Sequence, residues 1–348
     1  MATFNGSRYI EDQLKSLLNQ SKMPDEVIIR DDRSTDNTAE KVFNFIENNN
    51  LQERWKLTVN DKNIGWQRNF YEAVKETTGD IIFFSDQDDI WLPDKVETLT
   101  TFMKEKNAGC VYGSIILIDE AGNELNETRN THGIDKKPGQ IPFDCRFNTA
   151  IVMGCRMCIS REIANIYIGL KHPMPDHDCQ CARLALLYST LWRIEKPIMR
   201  YRIHKGNNSG IVTNLQEGST TLEFRKRIVK ENADWLRHVI RYNECQLKEV
   251  YFNFINPEET KIEKTKFEEL SSEKKEFKRN EMLKRILKMQ EERFLYLSHE
   301  HGVSWFRLLK YRKSYSGISM LIGDFAYRNG INRILGTIYR CFKKFFIR

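Results

Sequence analysis

Ile81-Ile82-Phe83-Phe84-Ser85-Asp86-Gln87-Asp88-Asp89-Ile90-Trp91 runs four apolar residues straight into three carboxylates. The apolar run is long enough for a buried strand, and in open α/β sheets ligands bind beyond the carboxyl ends of the strands. A D-x-D at such an end offers hard oxygen ligands to a divalent cation. Magnesium typically takes one or two carboxylates together with substrate phosphates, which suits so sparse a set. Acids this close repel one another, and a bound cation relieves the repulsion. The competing reading is an acidic turn capping a helix that opens near Pro93. A cap needs one acid, and three stand here.

Upstream of this stretch, strands and helices alternate. Ile10, Leu14, Leu17 and Leu18 form a helical stripe that closes before Pro24. Glu26 to Arg30 reads as a short strand ending at Asp31-Asp32, and Ser34, Thr35 and Asp36 are placed to cap a second helix bearing Val42, Phe43 and Ile46. Trp55 to Val59 alternates like a strand, and Asn63-Ile64-Gly65 turns into a third helix through Phe70, Ala73 and Val74. This order predicts βαβ units and a mostly parallel sheet.

Downstream, Val96, Leu99, Phe102 and Met103 predict a helix leading to a strand at Gly109–Tyr112, extended chain at Ile115–Ile118 and a turn at Asp119–Asn123. The polar residues 124–142 read as a loop, and loops of that length are often binding elements or lids. Ala150–Ile159 reads as a further buried strand, with a helix opening at Ser160. A second helix follows His177-Asp178, and Pro197–Arg202 reads as a strand ending at Ile203-His204.

Four of these segments, each at the end of an expected strand, resemble family 2 glycosyltransferases of the GT-A fold. They are Met1-Ala2-Thr3-Phe4-Asn5-Gly6, Asp31-Asp32-Arg33-Ser34-Thr35-Asp36-Asn37-Thr38, Asn63-Ile64-Gly65 and Ser85-Asp86-Gln87-Asp88-Asp89-Ile90-Trp91. The D-Q-D-D-x-W form is similar to the rhamnosyltransferase-like branch. The resemblance covers roughly residues 1 to 210. It implies an α/β fold of the GT-A, Rossmann-like type, with a mostly parallel sheet flanked by helices. The expected organisation is a catalytic domain over residues 1–214 and a helical, basic extension over 215–348. Family members carry an apolar first strand ahead of the first motif, and Met1 falls inside that motif, so most of that strand is expected to be missing.

The resemblance also implies roles. Ala2, Thr3, Asn5, Asp31, Asp32, Asn63, Gly65, Asn69 and Asp86 would hold a nucleotide sugar, with Asp32 reading the base. Physics independently allows a carboxylate after a strand to accept from a base N–H or a ribose hydroxyl, although both Asp31 and Asp32 could merely cap the next helix. Asp88 and His204 would hold Mg2+ or Mn2+, and Asp178 would be the catalytic base, unless it only caps its helix. His177 and Trp91 would face the acceptor. Arg33 stands where the family has glycine; it would either pay a strain cost at positive φ or reach a phosphate. Arg202 would neutralise diphosphate or pair on the surface. Cys155-x-x-Cys158 with Cys179-x-Cys181 resembles a thiolate zinc pattern, against which a buried-strand cysteine is simply good packing.

The 348 residues are 40% hydrophobic and 11% aromatic, enough for a sizeable core. No apolar run of membrane-spanning length and no signal-peptide pattern is present. Eight unevenly spaced cysteines point to free thiols in a reducing compartment, hence a cytoplasmic protein. The net charge of +7 is local, because residues 301–348 hold ten Lys/Arg against Asp324 alone. Residues 256–276 have the composition of a solvated linker or frayed helix. The last fifteen residues mix aromatics with Lys/Arg and no acid, as an in-plane helix on the inner face of the membrane requires; the alternative is an ordinary packed helix. No nucleic-acid-binding motif accompanies the charge.

Two function classes follow. One is an inverting glycosyltransferase moving a sugar from a nucleotide-sugar donor, dTDP-L-rhamnose or a UDP-sugar, to a glycan or lipid-linked acceptor in cell-surface polysaccharide synthesis. The other is a non-catalytic nucleotide-sugar-binding or membrane-scaffold relative.

Overall fold

Three short parallel strands open the fold: β1 (Ala2–Thr3), β2 (Val27–Asp31) and β3 (Trp55–Val59), paired in that order. Helices α1 (Ile10–Leu18), α2 (Thr38–Asn48) and α3 (Trp66–Glu76) connect and follow them. The apolar stripe of α1 forms because Ile10, Leu14 and Leu17 recur at helical spacing, and all three are buried. The structure is a computed structural model and describes residues 1–125, 138–141, 152–170, 177–204, 206, 222–255, 265–299, 305–311, 324–325 and 328–329.

A second sheet is built from β4 (Ile81–Phe83), β5 (Ile90–Trp91), β6 (Cys110–Ile118), β7 (Gly139–Gln140), β8 (Met157–Ser160) and β9 (Leu191–Arg202). Its order is β4-β8-β6-β9-β5, with β7 on β9. Only β6 and β9 pair in parallel there; β4–β8, β6–β8, β5–β9 and β7–β9 are antiparallel. The architecture is α/β as expected, but the second sheet is mixed: its antiparallel pairs join strands that are not consecutive in sequence. Helix α4 (Lys95–Lys106) precedes β6, and α5 (Arg161–Gly169) and α6 (His177–Leu187) lie between β8 and β9.

Several expected boundaries move. The strand expected over Ala150–Ile159 begins at Met157, after a 3-10 turn at Gly154–Arg156. The strand expected from Pro197 begins six residues earlier, at Leu191, and the register with β6 shifts at Ser114 opposite Pro197. Proline donates no ladder hydrogen bond, so an irregularity there is natural. β1 pairs with β2 over only Ala2 and Thr3. Beside it an apolar cavity of about 200 Å³ is lined by Met1, Val27 and Ile28 on one side and Ile81 to Phe84 on the other.

By its contacts the chain divides into two units, Met1–Phe143 with Thr149–Gly218, and Asp144–Asn148 with Ser219–Arg348. In the second, α7 (Leu222–Ile255) packs along α8 (Thr265–Leu297), and α9 (Trp305–Leu308) follows. Trp235, Leu236, Leu283, Ile286 and Met289 are buried. The buried Arg293 guanidinium pairs with Asp324, donating to Oδ1 from Nη2 at 3.0 Å. Of residues 256–276, expected as a solvated linker or frayed helix, the described part is helical from Thr265. The 214/215 boundary, most of the 124–142 loop and the basic tail 331–348 lie outside the described residues. Among the described residues, no helix is long and apolar enough to cross a membrane.

Candidate active site

The ends of β1, β2 and β4 and the starts of α3 and α6 surround a cleft of about 960 Å³. Its first wall is laced from two motifs far apart in sequence. The Asn5 amide nitrogen donates to Ser34 Oγ at 2.9 Å, Gly6 N to Thr38 Oγ1 at 2.8 Å, and Thr35 N to Asn5 Oδ1 at 2.8 Å. Ser34 and Thr35, expected as helix caps, thus bind the first motif, and Asp36 Oδ1 takes the Thr38 amide at 3.0 Å. Asn5 itself sits at φ 48°, a left-handed conformation that asparagine tolerates.

Asp32 lines the cleft while its carboxylate is held from three sides. Oδ1 accepts from Ile64 N at 2.8 Å and Asn60 Nδ2 at 2.9 Å, and Oδ2 accepts from Gly65 N at 2.8 Å. Gly65 opens α3 at φ 84°, where a side chain would be strained. Asn63 Nδ2 donates to the Asp32 carbonyl at 3.2 Å. Asn69 is fully buried and bridges Asn60 to the Arg30 carbonyl, accepting at 2.9 Å and donating at 2.7 Å. Ala2 and Thr3 complete this wall.

Asp31 does not join it. Fully buried, it accepts from Thr3 Oγ1 at 2.7 Å, Ser34 N at 2.7 Å and Ser34 Oγ at 2.6 Å. It ties the turn together, and nucleotide binding does not fit so enclosed a carboxylate. Arg33 takes φ 61°, and its guanidinium donates to the Asp61 carbonyl. The left-handed turn is therefore present, with arginine in it.

On the opposite side lies the acidic stretch. Asp86 and Asp88 line the cleft with His204, whose Nε2 is 2.8 Å from Asp88 Oδ2. Burial, and then the neighbouring Asp88 and Asp178, push the Asp86 carboxyl up to about 7. Asp89 is fully buried; Oδ1 accepts from Arg202 N at 3.1 Å, and Oδ2 has no hydrogen-bond partner among the described residues. Burial and the two other acids raise its pKa as well. Asp86, Asp89 and the Cys155 thiol also bring ligand atoms within 4.8 Å of one another. Burial raises the Cys155 thiol far above its usual range, which makes it a poor partner for a hard cation. Asp86, Asp88 and His204 face the cleft with oxygen and nitrogen donors, of which Asp88 and His204 are in contact. The ligand atoms of these three do not gather as closely as those of Asp86, Asp89 and Cys155. Acids crowded closely enough to raise one another's pKa are a setting in which a divalent ion would relieve the repulsion.

Arg202 is a buried clamp. Nε donates to the Asp88 carbonyl at 2.9 Å, Nη1 to the Glu120 carbonyl at 3.0 Å and Nη2 to Asp12 Oδ2 at 3.2 Å. The side chain is buried and fixes the acidic turn, and one of its hydrogen bonds is an ion pair to the exposed Asp12 at the surface. Its guanidinium lies 4.8 Å from the Tyr9 ring, and that ring lies 4.9 Å from His204.

Asp178, at the start of α6, lines the same cleft. Oδ2 accepts from Gly154 N at 3.0 Å and Oδ1 from Cys179 N at 2.7 Å. It therefore accepts from a first-turn N–H of its own helix and also faces the cavity. His177 is wedged among Phe70, at 4.1 Å between ring centroids, and Phe84, at 4.5 Å. Burial drives its pKa down to about 3, so the ring is neutral. A Cβ on Gly154 would stand 2.7 Å from His177 Nε2, which explains glycine there.

Trp91 belongs elsewhere. Its ring is in the core, 4% exposed, with Lys95 Nζ 3.6 Å from its centroid; it does not face an acceptor. The described residues in the cysteine pattern, Cys155, Cys158, Cys179 and Cys181, are buried free thiols, and no four-thiolate group occurs among the described residues.

Two contributors escaped sequence reading. The Gln87 amide holds Phe4 both ways, accepting from Phe4 N at 2.8 Å and donating to Phe4 O at 2.9 Å. Gly6 must lack a side chain, since a Cβ would meet Gln87 Oε1 at 2.2 Å. Trp66, 37% exposed, presents its ring at the cleft edge-on to His177, centroids 5.9 Å apart. A tryptophan following a turn glycine was the available signal.

The glycosyl transferase family 2 model matches residues 1–166. The dTDP-rhamnosyl transferase RfbG of Shigella flexneri is 33% identical over 226 residues, covering 60% of this chain and 73% of that protein. The chain belongs to glycosyltransferase family 2. Another family relative is the UDP-Glc:alpha-D-GlcNAc-diphosphoundecaprenol beta-1,3-glucosyltransferase WfgD of Escherichia coli, 33% identical over 121 residues; they cover 34% of this chain and 45% of WfgD. Among solved structures, S. aureus TarS 1-349 in complex with UDP-GlcNAc aligns over 97% of this chain and 90% of its own, with a TM-score of 0.56 and 15% identity. That likeness establishes the glycosyltransferase fold.

Proposed function

We propose that this family 2 glycosyltransferase is an inverting enzyme of cell-surface polysaccharide synthesis, moving L-rhamnose from dTDP-L-rhamnose to a hydroxyl of a glycan or lipid-linked acceptor. The observation that carries the reading is one cleft lined by Asp32, the Asp86–Asp88–His204 group and Asp178. The donor sugar rests on the similarity to RfbG, whose name specifies a dTDP-rhamnosyl transferase. The lipid-linked acceptor is supported by WfgD, whose name specifies a diphosphoundecaprenol-linked substrate, and by the basic, aromatic residues 331–348.

In this reading Asp32, held rigid by Ile64 N, Gly65 N and Asn60, accepts from the base or ribose. Ala2, Thr3, Asn5, Asn63 and Asn69 shape the pocket around it. Asp86, Asp88 and His204 would hold Mg2+ or Mn2+, which would supply positive charge to stabilise the diphosphate leaving group. Asp178 takes the proton of the acceptor hydroxyl as its oxygen bonds to the anomeric carbon. The bond from that carbon to the diphosphate breaks, and its electron pair leaves on the diphosphate. One displacement inverts the anomeric configuration. His177, neutral and packed, spaces Asp178 from α3.

A thermal-shift screen of dTDP-L-rhamnose, UDP-glucose and UDP-GlcNAc, with and without Mn2+, tests the donor assignment. dTDP-L-rhamnose is expected to stabilise the protein most, because a ligand that binds only the folded state raises its apparent stability. Preference for a UDP-sugar would move the donor class. Binding without transfer to any acceptor glycan would favour the non-catalytic reading.

A further inference from the structure

Lys95 is a buried lysine that the reaction described above does not use. It sits in the first turn of α4, fully buried. Its Nζ lies 3.6 Å from the Trp91 ring centroid and donates to the Cys155 carbonyl at 2.6 Å. An ammonium over an indole face, taken out of water, is held by the ring quadrupole as well as by its hydrogen bond. Burial pushes its pKa down to about 7, while the nearby acids Asp89 and Asp86 favour the charged form.

The carbonyl it grips belongs to the 3-10 turn Gly154–Arg156. The same turn donates Gly154 N to Asp178 Oδ2 at 3.0 Å, and its Cys155 thiol lies against Asp86 and Asp89. From Trp91 the contacts therefore run through Lys95, the Cys155 carbonyl and Gly154 N to Asp178. A hydrogen bond from the turn fixes where that carboxylate points, and a group that fixes the turn fixes the carboxylate.

We propose that Lys95, seated on Trp91, is a positioning residue that holds the Gly154–Arg156 turn so that Gly154 N orients Asp178 towards the cleft. This rests on the assignment of Asp178 as base. It gives Trp91 a role through its face, and it accounts for a charged side chain in a core position that an apolar residue could fill.

The test uses the full chain with Lys95→Met, and Lys95→Met combined with Asp178→Asn. Lys95→Met should lower kcat by roughly tenfold in the otherwise native chain, since small misplacements of reacting groups are costly. In the Asp178→Asn background it should cost almost nothing further, because residues acting in series are not additive. Iodoacetamide alkylation, followed by peptide mass spectrometry, provides a readout independent of activity. Cys155 should react about tenfold faster in Lys95→Met as the turn opens locally, while Cys110 in β6 stays protected.

A folded Lys95→Met with Cys155 as inert as in the native chain overturns the proposal. So does an equal loss of kcat in both backgrounds, which would mark a merely structural lysine. Should Asp178→Asn alone leave kcat intact, the base assignment falls, and unchanged Cys155 protection separately decides against the Lys95 clamp. If Cys110 is also released, the fold is lost, and Trp91→Phe, which keeps an aromatic but shifts the seat, is judged by the same readouts.

Discussion

His204 Nε2 lies 2.8 Å from Asp88 Oδ2, although 116 residues separate them in sequence. The contact joins the end of the acidic stretch to the residues just beyond β9. Arg202 fixes its geometry by donating to the Asp88 carbonyl at 2.9 Å, and Tyr9 lies against the imidazole at 4.9 Å between ring centroids.

Asp88→Asn is expected to reduce divalent-dependent transfer by on the order of 100-fold and to leave the fold intact, since it removes one of several crowded like charges. His204→Gln should raise the Mn2+ concentration needed for half-maximal activity. Mn2+ titrations at saturating donor check both. Unchanged turnover in Asp88→Asn would remove that residue from the proposed ligand set.

Asp178→Asn leaves one oxygen for two backbone donors, Gly154 N and Cys179 N, so stability should fall modestly, by about 1–3 kcal/mol, with the fold retained. Transfer should fall by on the order of 100-fold or more, the scale of a lost general base. Donor affinity, measured by calorimetry, should stay close to the native value. Loss of donor affinity in parallel with turnover would put the residue in the other half of the cleft.

The two neighbouring carboxylates of the second motif should behave differently. Asp31→Ala strands Thr3 Oγ1 and two Ser34 donors in a buried site, at a cost of about 2–4 kcal/mol, without changing donor affinity in the folded fraction. Asp32→Asn should weaken donor binding by roughly tenfold or more, the loss of a charge-assisted hydrogen bond. Urea melts and nucleotide titrations on both variants separate the roles.

Trp66→Ala should raise the KM for the acceptor by roughly fivefold, about 1 kcal/mol for a single aromatic contact, with kcat and thermal stability nearly unchanged. Steady-state kinetics at saturating donor checks this; an unchanged acceptor KM would leave the ring without a substrate.

Acid should destabilise the catalytic unit through His177. Its folded pKa, about 3, lies below the usual 6.5 because of burial, so between those values the unfolded chain binds the extra proton. Stability therefore falls as pH drops through 6.5 towards 3, by up to about 1.4 kcal/mol per pH unit. His177→Phe should flatten that limb of a stability-against-pH curve. The same slope in the variant would assign it to other groups.

The helices and most strands were legible because their apolar residues repeat at 3.6 or 2, as in Ile10, Leu14 and Leu17. The four motifs were legible because each ends a strand. Other features lay beyond a linear reading. Asp31 and Asp32 have the same chemistry, and only their separate partners, Thr3 and Ser34 against Asn60, Ile64 and Gly65, tell them apart. Trp91 looked like a site aromatic by its place in the motif, while the strand pleat turns it into the core. The Gln87 clamp needs Phe4 brought to it across 83 residues. The Gly154–Arg156 turn interrupts a segment read as one strand, and Gly154 with the charged Arg156 was the available signal for it.

The long pairing of β6 with β9 sets when the second sheet can close during synthesis. Residues Ser114 to Ile118 pair with Pro197 to Arg202, and β5 rests on Met199 and Arg200 of the same strand. A ribosome that has completed the 166 residues matched by the family model has delivered all four N-terminal motifs, but not Asp178, the Arg202 clamp or His204. The acidic turn then lacks the cation that fixes its backbone, and β6 has an open edge. Such an edge is prone to wrong pairing while it waits. Productive closure comes only when β9 clears the exit tunnel, so slow translation downstream of residue 166, including the stretch that follows β9, would lengthen the exposed interval.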